Sequence, residues 1–172
     1  FYKRDILSVD DYKKILLCQQ STTGHYSGLV FAGQAEQSEN FWHYTQALKT
    51  AAKEGVLSRQ DLSLALEKQT CGSNIISGFS DKNFTKNAKI LVKLILDIFS
   101  GDAANKVPLQ LEARQYLVHH IDDFLKKSHY LTVVERVCQE RQITLSQEDK
   151  EALKLVDAIG SWRRRPLTPS PV

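Results

Sequence analysis

The chain of 172 residues reads as an all-α protein: an irregular helical bundle, or a few stacked helix pairs, of about seven helices around a central buried helix 84–99. Three observations predict it. The stretch from Phe84 to Phe99, FTKNAKILVKLILDIF, is apolar except for one narrow strip, as a helix threading the middle of a body must be. Three of the four prolines, Pro166, Pro169 and Pro171, fall at the C-terminal end, which leaves the body nearly free of helix breakers. Between the breaks, apolar residues recur at helical spacing behind serine caps.

The elements follow in order. Residues 1–7 have no period and form a lead-in. Ser8 caps a first helix, with Asp10 and Asp11 in the electropositive first turn and Tyr12, Ile15 and Leu16 on one face, running to about Gln19. From Gln20 to Gln37 the periodicity fails: Ser21 to Gly24 read as a loop, and SGLVFAG (Ser27 to Gly33) fits a strand, a helical turn or a buried loop equally. Ser38 caps the next helix, which carries Phe41, Thr45, Leu48 and Ala52 on its inner stripe, has Trp42 and Tyr44 widening that face, and stops at Gly55. Ser58 and Asp61 then form a capping-box pair, with Leu57 and Leu62 as the hydrophobic staple of a helix from Arg59 to about Gln69 that makes 39–69 an antiparallel hairpin.

Residues 71–80 are a connection whose Ile75, Ile76 and Phe79 tuck against the body. The central helix starts near Asp81 to Asn83 and stops at Gly101. Pro108 suits the first turn of the next helix, whose stripe is Leu109, Ala113, Leu117, Ile121 and Phe124, up to about Lys127. A break near Ser128 precedes a helix from Tyr130 to Arg141, with Leu131, Val134, Val137 and Cys138 at helical spacing. Ser146 and Asp149 repeat the capping pattern for a last helix through Leu153, Val156 and Ile159 to Gly160. The length suits one core, so residues 1–160 are expected to be a single domain and 161–172, SWRRRPLTPSPV, a basic, proline-rich tail or linker.

Charge bounds the partners. Of the 23 basic residues, Arg163, Arg164 and Arg165 lie in the acid-free tail; the remaining 20 face 20 acids, so the body is neutral. General nucleic-acid binding, which draws on a broad basic face, is disfavoured. Cys18, Cys71 and Cys138 are odd in number, far apart and without a CxxC pair, which points to a reducing compartment, the cytoplasm or the nucleus, and to no structural zinc. No apolar run approaches the length that crosses a bilayer. The chain opens on Phe1, the expectation for a piece of a larger protein.

The strongest local feature is a lysine ridge: Lys82, Lys86, Lys89 and Lys93 follow at spacings of four, three and four, with no acid between Asp81 and Asp97. On a helix they form one cationic edge, suited to an acidic segment or to anionic headgroups, although charge runs are most often a solvated face. Trp42 stands among Phe41, His43 and Tyr44, four rings that cannot all point inward, so an exposed anchor or packing against 20–37 is implied. His119 and Asp123 at i, i+4 could share an ion, but no third ligand and no HExxH accompany them, so a surface pair is the better reading. Cys71 sits at a helix end that opposes thiolate formation, and Cys18 and Cys138 lie on apolar stripes, so none looks activated. No phosphate-cradling glycine motif is present. Thr168-Pro169 and Ser170-Pro171 beside the arginines form a phosphorylation-dependent switch or an inert linker.

These readings predict a non-enzymatic, cofactor-free scaffold module of a larger protein. It engages an acidic or helical segment of another protein through Lys82, Lys86, Lys89, Lys93, Trp42 and the tail arginines Arg163, Arg164 and Arg165. Docking on an anionic membrane surface by the same cations is the alternative. An enzyme built on His119, Asp123 and a residue from 20–37 ranks third.

Overall fold

A computed structural model describes residues 8–17, 19–20, 26–27, 29, 32–33, 38–66, 75–76, 79–99, 108–119 and 127–153. The fold is all-α. Its helices are α1 (Val9–Leu16), α2 (Ser38–Lys53), α3 (Arg59–Leu66), α4 (Phe84–Phe99), α5 (Leu111–His119), α6 (Lys127–Glu140) and α7 (147–153). Among the described residues the extended pairing is a two-residue antiparallel ladder, in which β1 (Gln19–Gln20) pairs with β2 (Tyr26–Ser27), and an isolated bridge.

The expected central helix is central. α4 packs against α2, α5 and α6. It buries Phe84, Ala88, Leu91, Val92, Leu94, Ile95, Leu96 and Phe99. One continuous apolar cluster runs from Leu16 through α4 to Leu153. At about 25 cal/mol per Å² of apolar surface removed from water, each such leucine or isoleucine contributes roughly 1.5–3 kcal/mol against the entropy of ordering the chain. Asn87, also fully buried in α4, donates from Nδ2 to the Gly33 carbonyl at 3.4 Å and so fastens the 32–33 segment to the central helix.

The caps explain where the helices begin. The Ser8 hydroxyl accepts the Asp11 N–H at 3.1 Å. Ser58 and Asp61 exchange two backbone contacts, Ser58 N–H to Asp61 Oδ2 at 2.8 Å and Asp61 N–H to Ser58 Oγ at 3.2 Å, with the staple leucines Leu57 and Leu62 both buried. Ser146 and Asp149 repeat this at 2.8 and 3.0 Å. Gly55 takes φ +74°, the left-handed conformation that ends α2, while the Val56 N–H reaches back to the Ala51 carbonyl at 2.8 Å.

Several sequence expectations change. α1 ends at Leu16 rather than near Gln19, because residues 19–20 join the ladder; Ile15, expected on the inner face, is exposed. On α2, Ala51 is fully buried while the expected Ala52 is half-buried. The segment left open between strand, helical turn and buried loop has helical backbone at Leu29, Ala32 and Gly33, and Leu29 is fully buried. Pro108 does not open α5: it forms an isolated parallel bridge with Thr144, and α5 begins at Leu111. A proline's fixed φ fits extended backbone as well as a first helical turn, so the residue type alone does not choose. Ser128 lies inside α6, and its carbonyl accepts the Thr132 hydroxyl at 2.9 Å, so the expected break is not there. The helix end near Gln69, the stop at Gly101, Ile121, Phe124 and the stretch Val156 to Gly160 lie outside the described residues.

Candidate functional site

The exposed strip of α4 lies between α2 and α6. Phe41 of α2 meets Phe79 edge-on at 5.1 Å between ring centroids, and Phe79 meets Phe84 at 6.2 Å, so the N-terminal ends of α2 and α4 are together. At the other end Lys49 of α2 pairs with Asp97 of α4, so the two helices run in the same direction. On the opposite side Glu140, the last residue of α6, receives Lys89 at 2.7 Å and Lys93 at 3.6 Å, and Arg141 pairs with the same Asp97.

The four ridge lysines thus fall into two pairs. Lys82 and Lys86 are exposed and have no ion-pair partner among the described residues. Lys89 and Lys93 share Glu140, whose carboxyl is held below the usual carboxylate range by the Lys89 hydrogen bond, against a smaller opposing effect of desolvation and with further help from the Lys89 and Lys93 charges. Lys82 lies in the turn at 81–83 ahead of α4, so only Lys86, Lys89 and Lys93 of the expected ridge stand on the helix, and two of those three are screened. Trp42 is 46% exposed and meets the His43 ring edge-on at 4.9 Å. Trp42, Lys49 and Lys53 stand at i, i+7 and i+11 and so share a face of α2; since Lys49 reaches Asp97, that face borders the α4 strip. Trp42 and Lys82/Lys86 therefore belong to the same end of the groove. Arg163, Arg164, Arg165 and the tail Thr-Pro and Ser-Pro pairs lie outside the described residues.

At its C-terminal end the groove opens into a cleft of about 470 Å³ that the sequence did not suggest. Lys49, Lys53 and Arg59 rim it with Asp97; Ala52, Leu57, Leu62 and Ile98 make its floor. Arg59 is fixed twice, by an ion pair with Glu112 and by its guanidinium lying 5.2 Å from the centre of the Phe99 ring, which itself stacks on Tyr116 at 4.4 Å. The sequence signal was faint. Lys49 and Lys53 are legible as an i, i+4 pair on one helix, but Arg59 joins them only because the chain reverses at Gly55, and Asp97 only through the packing of α4 on α2.

Among the described residues, no group of three or more His, Cys, Asp or Glu side chains is placed to hold a metal ion. Asp123 lies outside the described residues, as do Cys18 and Cys71. Cys138 is buried, and desolvation first, then the charge of Asp149, pushes its thiol up to about 11, so it is a protonated core group near neutral pH. No described helix is long and apolar enough to cross a membrane. Comparison of the chain with protein-family models, with curated proteins and with solved structures finds no match.

Proposed function

We propose that the chain is a non-enzymatic interaction module of a larger protein, binding an acidic segment of another protein along the α4 strip with Trp42 as the apolar anchor. One observation carries this reading: Lys82 and Lys86 are exposed without an ion-pair partner among the described residues, at the end of the groove where Trp42 is exposed. Cations without internal partners keep their charge available to an incoming carboxylate, and an exposed tryptophan supplies contact area at low conformational cost. The body's neutral balance favours such a local contact over a long polyanion.

The test uses a biotinylated amphipathic helical peptide with glutamates on one face. Wild-type protein should bind it with salt-sensitive affinity, and Lys82→Glu/Lys86→Glu should weaken binding by about tenfold or more at low salt, with an unchanged thermal melt. Binding that survives this reversal removes the strip from the account. Flotation with phosphatidylserine vesicles distinguishes the membrane reading: retention that depends on acidic lipid and on Lys86, with no peptide binding, replaces the protein partner by a lipid surface.

A further inference from the structure

We propose that the cleft at the far end of the groove is a second binding site, separate from the lysine strip, for a phosphorylated side chain of a partner protein with an aliphatic neighbour. Its charge and shape argue together. Lys53 has no ion-pair partner among the described residues. Asp97 is the one acid of the lining, and it gives one oxygen to Lys49 and the other to Arg141, which stands outside the lining, so Lys49 is only partly neutralised. Arg59 is balanced by Glu112, yet a guanidinium carries five N–H donors and that one pair does not use them all. The lining thus sets three cations, Lys49, Lys53 and Arg59, against the one carboxylate of Asp97, an excess of two positive charges, the match for a phosphate monoester near neutral pH at about −1.5 to −2, where a carboxylate would meet only half of it. Asp97 is the positioning residue, holding the Lys49 ammonium at the rim through its own carboxylate.

The floor decides the rest of the ligand. Ala52, Leu57, Leu62 and Ile98 are aliphatic and share the lining with the cations, so the group that enters brings apolar surface beside its anion. A recess of about 470 Å³ admits one or two side chains. A lipid surface is flat: it would touch the exposed Lys53 at the rim without filling the floor, which favours a peptide segment over a membrane.

The experiment is fluorescence anisotropy of the full chain with a fluorescein-labelled degenerate peptide pool fixed at a central phosphoserine and enriched in Leu, Ile and Val around it, beside the same pool with serine. The phosphoserine pool should bind about tenfold or more tightly than the serine pool, and Lys53→Glu should weaken it about tenfold, the scale of one charge-assisted contact. Lys53 is exposed and makes no ion pair among the described residues, so this variant should melt as wild type does. Lys86→Glu should leave phosphopeptide binding unchanged, which separates this site from the strip, whose own test uses the glutamate peptide. Equal affinity for the two pools, absence of binding to both, or indifference to Lys53→Glu overturns the proposal. So does an equal loss in Lys86→Glu, which would move the anion to the strip, and so does Lys53-dependent flotation on phosphatidylserine vesicles without phosphopeptide binding.

Discussion

Asp61 does three things with one carboxylate. It accepts the Ser58 N–H and hydroxyl at 2.8 and 2.7 Å as the return half of the α3 capping box, and it receives Lys13 of α1 at 2.8 Å. Desolvation pushes its pKa up, but the hydrogen bonds from Lys13 and Ser58 outweigh that and hold it below the ordinary value of 3.8. Because the folded pKa lies below the unfolded one, the stabilisation is complete above about pH 4 and is lost as pH falls through the folded pKa. Asp61→Asn is therefore expected to lower stability by about 1 kcal/mol at neutral pH, the scale of a lost cap, and to melt less differently from wild type as pH drops from 5 to 2. Thermal melts across that range check it; a gap that stays constant would mean that the charge of Asp61 contributes nothing. Gly33 sets a different residue-level limit. A Cβ there would stand 2.5 Å from Phe79 Cε1, between rings already packed edge-on, so Gly33→Ala should cost about 1–3 kcal/mol by overpacking.

At the scale of elements, each serine-aspartate cap also ties two helices together. Asp149 closes the α7 box with Ser146 and takes Arg114 of α5 at 3.2 Å, as Asp61 closes the α3 box and takes Lys13 of α1. A local motif thereby fixes the docking of a distant helix. α4 depends on burial more than on caps. Leu91 and Ile95, one turn apart, are fully buried, and Ile95→Ala should destabilise by about 2–5 kcal/mol, read from denaturant midpoints at unchanged m-value. Amide exchange should place α4 among the slowest-exchanging segments, because its backbone opens only when the core does.

Over the molecule, one set of charges among the described residues gathers around the α4 strip. Lys49 and Arg141 share Asp97, Lys89 and Lys93 share Glu140, and Arg59 meets Glu112, so these ion pairs follow one another across the α4 strip. Glu140 is the screen that divides the strip. Glu140→Gln should free Lys89 and Lys93 and tighten binding of the glutamate peptide a few-fold at low salt, an effect that fades as the Debye length falls to about 3 Å near 1 M salt. Unchanged affinity would show that only the Lys82/Lys86 end meets the partner.

The central helix, both capping boxes and the stop at Gly55 were all legible in the chain, because each is fixed by neighbours within about one or two helical turns. The lysine row was legible for the same reason. Its pairing was not: Glu140 lies 51 residues beyond Lys89, and only the packing of α6 on α4 brings them together. The cleft likewise needs Lys49, Arg59 and Asp97 from three helices. Periodicity determines which face of a helix is wet, since that depends on the helix alone; which charges share that wet space depends on how helices cross, and tertiary packing alone decides it.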